Sequence, residues 1–480
     1  MSDWLMPAIV ALVIAGFLWT TLKTNKSGKA HQKRQIEITQ EFKTAIEAIK
    51  GGNPVVLLTG SAGTGKTTFI DIFRKNNSNK NIATVSFTGV AALNAGGKTI
   101  HSFFGLPPKY ISEEAVKELS ETQKSVLQKL DILIIDEISM VRADLMDGID
   151  MSLRLNAKEQ KQNIPFAGVQ IVMVGDLFQL PPVMKRTSPE TKLVNMHYPT
   201  PYFLGAKTFQ GINITRIELT KCFRQEEDRA FFEILQNVRT GKNIEWCLAE
   251  INKNCLREPL PDSTTLTFTK AQADKVNREN YIRITAEERI YTGQFWWNNA
   301  EEMGNIKESD LPSPINLKLK IGTLVMFTKN DHEERWVNGT TGKIVGLGNN
   351  SVLVRISKDR PPYEVGPAKW VSYEYTYSKQ KDSLESRERM AYEQLPLIHA
   401  WAITVHKAQG RTIQKLHLDS GDGAFEKGQV YVALSRCPTM RGLSIKKPLT
   451  VKDIQVCPTM QRLHKVWQGK TKVPAWPLFG

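Results

Sequence analysis

The chain is poor in cysteine, and its cysteines show no metal-binding pattern. Five of them are scattered over 480 residues, none in a CxxC or Cys/His spacing: Cys222, Cys247, Cys255, Cys437 and Cys457. This excludes the usual zinc-binding patterns and indicates reduced thiols in a reducing compartment. No internal repeat or low-complexity tract is evident. A length of 480 residues instead predicts roughly three ordinary domains.

Acidic residues are outnumbered by basic ones. Lys and Arg total 64 against 49 for Asp and Glu, which gives a formal net charge of +15 and a pI near 9.4. The excess favours a polyanionic partner, either nucleic acid or an acidic membrane surface. Charge alone does not separate these two.

Charge is also missing from residues 4–22. As a helix this run would span about 28 Å, close to the hydrocarbon core of a bilayer. Basic residues follow it and only Asp3 precedes it, so the positive-inside rule predicts a single-pass anchor with the rest of the chain on the cytoplasmic face. A cleaved signal peptide, which needs basic residues first, and an apolar helix docked on protein are the alternatives. We expect residues 1–34 to form a membrane anchor and a basic tether.

Four apolar runs in the first half of the chain each end in polar residues: 55–58, 84–87, 132–135 and 169–174. Helical patterns lie between them, which is the signature of a parallel sheet built from βαβ units. A second α/β pattern begins near Leu266 and resumes near Leu395. Short alternating strands within residues 317–393 interrupt it and predict a small β-barrel insertion.

Directly after the first run, residues 60–67 read GSAGTGKT and fit the phosphate-binding loop GxxxxGK[ST]. Its glycines let backbone N–H groups approach phosphates, and a helix N-terminus adds its dipole. We expect Lys66 to hold the β and γ phosphates of ATP and Thr67 to ligate Mg²⁺. The predicted nucleotide-binding set is Gly60, Ser61, Ala62, Gly63, Thr64, Gly65, Lys66, Thr67 and Thr68.

Polar groups at two further strand ends complete a candidate hydrolytic site. Asp136 is predicted to hold Mg²⁺, and Glu137 to orient the attacking water. Gln179 follows a strand in the segment GDLFQLPPV, where its amide can bind both the γ-phosphate and water. A structural cap is the alternative for Gln179. Arg224 and Arg436 are candidate arginine fingers, although spacing alone favours surface positions for both.

In combination these segments resemble the Pif-type family of superfamily one DNA helicases, of the 5′-to-3′ branch that includes RecD and Dda. The resemblance covers residues 40–443, most of the chain. It rests on the motifs GSAGTGKTT, FTGVAALNAGGKTIHSFFG, IIDEISMVRADLMDGID, FAGVQIVMVGDLFQLPPV, LTKCFRQ, RWVNGTTG, AWAITVHKAQGRT and GQVYVALSR. The stretch after Asp136, with Met140, Asp147 and Arg154, is similar to the bacterial members in particular.

The resemblance implies an α/β fold with two RecA-like P-loop NTPase domains, parallel sheets flanked by helices. The first domain would span residues 35–215, with a short wedge insertion at 103–129. The second would comprise 216–316 and 394–446, with the β-barrel at 317–393 inside it and a C-terminal tail at 447–480.

The resemblance also implies roles for matching residues. Gln40 would read adenine, and Gln409 and Gly410 would face the nucleotide from the second motor domain. Gln179 would couple hydrolysis to DNA, while the two candidate finger arginines would contact the γ-phosphate from the second side of the cleft. The single-stranded DNA path would be lined by Thr88, His101, Thr404, His406 and Lys407. Ala408 stands where the family usually has Ser, which removes one hydroxyl.

The expected function is that of an ATP-dependent DNA helicase. A monomeric motor would move 5′ to 3′ on single-stranded or forked DNA in repair, replication or recombination, with no small-molecule substrate other than ATP. The competing hypotheses are a membrane-tethered P-loop switch or scaffold, a membrane-surface binding protein, and a translocase that barely unwinds. Four aromatic residues near the motifs could stack on bases, although core positions are favoured for each: Phe103, Phe104, Trp336 and Trp401.

Overall fold

The computed structural model describes residues 38–94, 97–184, 188–297, 308, 311–333, 335–378 and 383–468. The described residues from 40 to 468 belong to one compact unit. The predicted anchor and tether, residues 1–34, lie outside the described residues. Within the described ranges, no helix combines the length and the apolar character needed to cross a bilayer.

The first motor domain is built on a six-stranded parallel sheet. Its order is β3-β2-β4-β5-β1-β6, with β1 at Val55–Gly60, β2 at Ile82–Ser86, β3 at Lys98–Thr99, β4 at Ile132–Asp136, β5 at Gln170–Gly175 and β6 at Ile214–Leu219. Helices cover both faces, as buried parallel strands require: Gln40–Lys50, Lys66–Asn76, Gly89–Asn94, Ile100–Phe104, Glu121–Lys129, Ala143–Leu155 and Pro189–His197.

The predicted boundary between residues 215 and 216 falls inside β6 and is wrong. This strand pairs with β1 along its whole length, from Val55↔Ile214 to Gly60↔Leu219. It is an edge strand with only two fully buried residues, Ile217 and Leu219, so its sequence lacks the apolar run that marks the central strands. The first domain therefore extends to Leu219.

The second motor domain has a four-stranded parallel sheet of order β18-β7-β19-β20. These strands are β7 at Thr264–Thr267, β18 at Ala402–Thr404, β19 at Leu416–Asp419 and β20 at Leu443–Ile445. The helices around it are Arg229–Thr240, Ile244–Cys255, Lys270–Ile282, Val405–Ala408, Gln429–Leu434 and Pro458–Trp467. The carboxyl end of β18 leads directly into the helix that carries His406 and Lys407.

An antiparallel β insertion interrupts the second domain between β7 and β18. Its main sheet has the order β14-β13-β12-β11-β17, and smaller sheets pair β10 with β8 and β15 with β16 and β9. The strands are β8 at Arg289–Thr292, β9 at Gln294–Trp297, β10 at Asn316–Leu319, β11 at Leu324–Phe327, β12 at Thr341–Leu347, β13 at Val352–Arg355, β14 at Tyr363–Val365, β15 at Ala368–Ser378, β16 at Ser383–Gln394 and β17 at Leu397–His399. The predicted range 317–393 is too narrow, because β8, β9 and β17 pair with strands inside it.

One helix of the first domain holds three separate chain segments through buried aspartates. Asp144, Asp147 and Asp150 follow one another at three-residue intervals on the helix Ala143–Leu155 and are almost fully buried. Each carboxylate accepts backbone N–H groups from a different segment: Ile111 for Asp144, Lys207 and Thr208 for Asp147, and Phe166 for Asp150. The first of these contacts anchors the insertion predicted as a wedge, residues 103–129.

The predicted C-terminal tail, residues 447–480, contains an ordered helix that packs into the protein. Met460, Leu463 and Val466 on Pro458–Trp467 are buried at helical spacing. The His464 ring lies 5.6 Å from that of Phe178. The prediction of a tail was wrong for this stretch because ten residues give only three apolar positions for a periodicity argument.

Candidate nucleotide and DNA site

The phosphate-binding loop lies between β1 and the helix Lys66–Asn76, as in other P-loop proteins. The Lys66 ammonium donates to the carbonyl oxygens of Gly60 and Ser61, both at 2.9 Å. Burial lowers the pKa of Lys66, and the nearby Asp176 and Glu137 oppose that shift. Lys66 is thus poised inside the loop, where phosphate oxygens can replace the two carbonyls as its acceptors.

A segment after β6 lies directly on this loop. The Phe223 N–H donates to the Gly63 carbonyl at 2.9 Å. Gly63 has a φ of +82°, and a Cβ there would lie 2.4 Å from the Cβ of Arg224. Only glycine permits both this backbone conformation and this approach. Arg224 therefore belongs to the P-loop side, contrary to the expectation that it comes from the second side, because β6 holds the chain against the first sheet up to Leu219.

Asp136 and Glu137 follow β4 at the same edge of the sheet. Burial and then the charge of Glu137 raise the pKa of the Asp136 carboxyl to about 7. Burial also raises the pKa of Glu137, against the opposing charges of Lys66 and Arg436. Glu137 has a φ of +52°, a conformation that costs a non-glycine residue about 1–3 kcal/mol and that clusters at functional sites. A bound cation would stabilise the ionised form of these two neighbouring carboxylates.

Gln409 from the second motor domain reaches across the cleft to Glu137, the carboxylate predicted to orient water. Its Nε2 donates to Glu137 Oε2 at 2.9 Å and to Gln179 Oε1 at 3.3 Å. One amide thus touches both the residue expected to orient water and the residue expected to report on the γ-phosphate. This contact links Glu137 and Gln179 directly to the second motor domain.

Asp176 is a second point of contact between the domains. Its Oδ1 accepts from Arg239 Nε at 3.0 Å, and its Oδ2 accepts from the Tyr431 hydroxyl at 2.8 Å. The same hydroxyl accepts the backbone N–H of Ala62 in the phosphate-binding loop at 3.0 Å. Burial alone would raise the pKa of Asp176, but Arg239, Lys66 and Tyr431 together lower it. Asp176 is therefore an ionised hub that ties the loop to the second domain.

Two arginines flank this network, Arg436 buried and Arg224 half-buried. Arg224 donates from Nη1 to the Ser435 carbonyl at 3.1 Å, and Arg436 donates from Nε to the Val432 carbonyl at 2.9 Å. Arg436 is 1% exposed, and burial, followed by repulsion from Arg224, lowers its pKa to about 9. Neither guanidinium forms an ion pair with any described residue. Two neighbouring cations that lack counter-ions among the described residues are suited to a polyphosphate.

The residues predicted to line the DNA path lie near strand ends of both parallel sheets. Thr88 follows β2 and its hydroxyl accepts the Ala91 N–H, while Thr404 ends β18 and accepts the Lys407 N–H, both at 3.3 Å. His101 packs its ring 6.0 Å from that of Phe87, and burial lowers its pKa. His406 pairs with Glu426 at 3.2 Å.

Other predicted residues occupy less decisive positions. Gln40 is exposed at the first turn of its helix, and two residues later the Phe42 ring lies against the phosphate-binding loop at Gly65. Gly410 has a φ of +77°. Three of the four candidate stacking residues are buried, namely Phe103, Phe104 and Trp336. Trp401 is half-buried, 5.6 Å from the ring of His399.

Comparison with known proteins decides the family. Residues 32–246 match the model of the PIF1-like helicase family. The ATP-dependent DNA helicase Pif1 of Bdellovibrio bacteriovorus is 30% identical over 442 residues, covering 91% of this chain and 93% of that protein. The chain belongs to the Pif1 family of helicases. Human PIF1 is also 30% identical, over 85% of this chain but only 60% of its own length.

Solved structures of Pif1 proteins share this fold. Bacteroides Pif1 in complex with ADP-AlF4 has 32% identity and a TM-score of 0.81, covering 91% of this chain and 98% of its own. Bacteroides Pif1 bound to single-stranded DNA gives a TM-score of 0.64 at the same identity and the same coverage of both chains. The two RecA-like domains with a β insertion in the second are thus the Pif1 architecture.

Sequence reasoning missed three residues of this Pif1-family site. Tyr431 and Arg239 bind Asp176, and Gln225 donates from Nε2 to the Cys437 carbonyl at 2.9 Å. Tyr431 and Gln225 were visible within the motifs GQVYVALSR and LTKCFRQ. In these two motifs only the arginines, Arg436 and Arg224, were predicted to be functional. Arg239 lies outside every motif, and nothing in its local sequence distinguishes it from a surface residue at a helix end.

Proposed function

We propose that this Pif1-family helicase hydrolyses ATP between its two RecA-like domains and uses the resulting cleft motion to move 5′ to 3′ along single-stranded DNA and unwind duplex. The contact of Gln409 with both Glu137 and Gln179 carries the proposal. A motor requires that a residue of one domain report on catalytic groups of the other. A P-loop switch or scaffold without motor activity has no need of the DNA-path motifs.

The side chains divide the work of hydrolysis. Lys66 exchanges its carbonyl acceptors for oxygens of the β and γ phosphates, and Glu137 orients the attacking water. Gln409 donates to Glu137 only while the domains are closed, so hydrolysis is restricted to the closed cleft. Arg224 and Arg436 then neutralise charge that develops on the transferred phosphoryl group.

Asp136 and Thr67 fit the Mg²⁺ ion that this chemistry uses. The half-buried Asp136 carboxylate lies beside Glu137, and its one hydrogen bond among described residues comes from the Glu137 N–H at 2.8 Å. Bound Mg²⁺ supplies charge neutralisation for the phosphates. Asp136 and the Thr67 hydroxyl would hold it together with phosphate oxygens, since Mg²⁺ is seldom bound by an all-protein cage.

We propose that the working polyanion is DNA with a single-stranded 5′ tail. Bacteroides Pif1 has been solved with single-stranded DNA and Pif1 helicases with forked DNA, and the excess of positive charge on this chain suits the same ligands. The direction of movement rests on the resemblance. A role in repair, replication or recombination and action as a monomer are parts of the same proposal.

One experiment tests the function directly. Purified protein is mixed with ATP, Mg²⁺ and duplexes that carry either a 5′ or a 3′ single-stranded tail. We expect strong stimulation of ATP hydrolysis by single-stranded DNA and unwinding of the 5′-tailed duplex only. Lys66→Ala serves as the inactive control. Unwinding of the 3′-tailed substrate would overturn the polarity, and ATP hydrolysis that ignores DNA would favour a switch.

We further propose that residues 4–22 anchor the helicase in a membrane, with the motor domains on the cytoplasmic face. The uncharged run followed by Lys23, Lys26 and Lys29 supports it. Fractionation of cells should place the full chain in the membrane fraction and a variant lacking residues 1–34 in the supernatant. Full-length protein in the supernatant would refute the anchor, whereas the truncated variant should keep its unwinding activity.

A further inference from the structure

Arg411 is a buried cation that lacks a counter-ion. Its side chain is 5% exposed, and its Nη1 donates to the Met326 thioether sulfur at 3.4 Å, which is a weak acceptor. No carboxylate in the described part of the chain pairs with it. Burial lowers its pKa to about 10, so the guanidinium remains charged at neutral pH.

Other arginines in the described part of the chain show both situations. The buried Arg239 pairs with Asp176 at 3.0 Å, and the half-buried Arg142 pairs with Asp144 at 2.7 Å. The exceptions are the buried Arg436 and the half-buried Arg224, which lie at the nucleotide cleft. Because a desolvated charge is costly unless it is paired, an uncompensated guanidinium indicates that its anion comes from outside the chain.

Arg411 lies in the seam between the second motor domain and the β insertion. Its N–H donates to the Ala408 carbonyl at 3.0 Å, just after the short helix Val405–Ala408. A loop of the insertion lies against it, since a Cβ on Gly339 would be 3.2 Å from the Arg411 Cβ. The neighbouring Gly410 is exposed, and a Cβ there would meet nothing within 4 Å. The seam is therefore open beside Arg411 at Gly410.

The charges around Arg411 point to the DNA side of the protein. Lys407 lies one helical turn earlier and is exposed, as is Lys270. Partial burial, followed by repulsion from Lys270 and Arg411, lowers the pKa of Lys407. The carboxylates of Asp274 and Glu308 oppose that shift more weakly. The net positive charge around Lys407 is suited to the phosphates of a nucleic-acid backbone. At the nucleotide cleft the nearby cation is instead Arg436, whose charge lowers the pKa of Glu137.

We propose that Arg411 is a phosphate-binding residue of the single-stranded DNA path, and that a phosphodiester of the bound strand, entering beside Gly410, is its missing counter-ion. This inference rests on the proposed function and adds to it a contact under the β insertion. It would tie the insertion and the second motor domain to the same strand through one side chain.

The salt dependence of DNA binding tests the assignment. Affinity of the full-length protein for a fluorescent oligothymidylate is measured over a range of salt, for wild type, Arg411→Met, Arg411→Lys and Arg462→Met. Arg411→Met should bind about tenfold more weakly at low salt, with a slope of log affinity against log salt that is shallower by about 0.7, the value for one phosphate contact on a single strand. Arg411→Lys should keep the wild-type slope.

Two controls separate a ligand contact from a structural role. Arg462 is exposed on the C-terminal helix, so Arg462→Met removes the same net charge and should bind like wild type. Without DNA, Arg411→Met should unfold at the wild-type temperature or above it, because an uncompensated buried charge is replaced by an apolar side chain. Arg411→Gln supplies the same binding comparison if Arg411→Met does not fold.

Three other results would contradict either the role of Arg411 or the proposed function. Wild-type affinity and slope for Arg411→Met would overturn the assignment and leave a structural arginine. A loss confined to binding of a fluorescent ATP analogue, measured without DNA, would make the anion a nucleotide phosphate and would also overturn it. Wild-type protein that fails to bind the oligothymidylate would instead overturn the proposed function.

Discussion

The two faces of the nucleotide cleft contribute different charged groups: two carboxylates lie on the first-domain face beside the cations Lys66 and Arg224, and the second-domain face contributes only a cation among these residues. The first-domain face presents Asp136 and Glu137, whose pKa values burial raises. The opposite face presents Arg436, whose pKa burial lowers to about 9. Each face alone holds charges that lack partners, and a polyphosphate with its cation can satisfy both at once. The second domain therefore does more than cover the site, because it supplies a positive charge that the bound polyphosphate needs.

The largest effect should come from removing the cation of the second face. Arg436→Ala should bind ATP almost normally yet lose turnover by about 10³–10⁵-fold, the range found for arginine fingers. Nucleotide affinity and single-turnover hydrolysis on single-stranded DNA check this. Arg436→Lys is the matched variant, which keeps a charge but not the planar fork. Wild-type turnover of Arg436→Ala would remove the finger role.

The carboxylate of the first face comes next. Glu137→Gln keeps the size of the side chain but cannot orient or accept from water in the same way, so turnover should fall by roughly 10²–10⁴-fold. Binding of ATP and of single-stranded DNA should persist, which equilibrium titrations can verify. Comparable loss in binding and turnover would show that the residue shapes the site rather than acting on water.

The amide bridge between the faces should have a smaller and more selective effect. Gln179→Ala removes the acceptor of Gln409 and should lower unwinding more than ATP binding, by about tenfold, the scale of a hydrogen bond to a partly charged network. The measurement is the number of base pairs opened per ATP hydrolysed. Equal loss of unwinding and ATP binding would return Gln179 to a structural cap.

The smallest expected effect is at the hydroxyl that joins the second domain to the phosphate-binding loop. Tyr431→Phe removes the acceptor for the Ala62 N–H, while Asp176 keeps its ion pair with Arg239. The KM for ATP should rise by roughly three- to tenfold with little change in the temperature of unfolding. A large drop in unfolding temperature with an unchanged KM would make Tyr431 a packing residue only.

Much of the fold could be predicted because its strongest signals are local. Apolar runs such as that of β1, followed by the glycine-rich loop, mark both the strand and the site. The edge strand β6 was missed because it is only partly buried. The insertion was predicted too short, since β17 is three residues long and is defined by its partner β11 rather than by its own sequence.

The residues of the candidate site also fall into two groups, those with a local sequence signal and those without one. Lys66, Asp136 and Glu137 could be predicted because each directly follows a strand, where side chains of parallel strands converge. Arg239 could not, because its role arises from a contact with Asp176, 63 positions away along the chain. The location of Arg224 was mistaken for the same reason: the chain's path after β6 is a property of the tertiary structure.

The helix that carries Asp144, Asp147 and Asp150 sets a limit on how this protein can vary. Substitution by Asn leaves one carbonyl oxygen, which can still accept the single backbone N–H held by Asp144 or by Asp150. At Asp147 the two N–H groups bind different carboxylate oxygens, so Asn would keep only one of them. An inserted or deleted residue within the helix is different, because it rotates everything beyond it by about 100° and shifts it by about 1.5 Å. At least one held segment would then lose its acceptor entirely. The three-residue spacing of these acceptors therefore constrains the sequence of this helix more strictly than the identity of any one of them does.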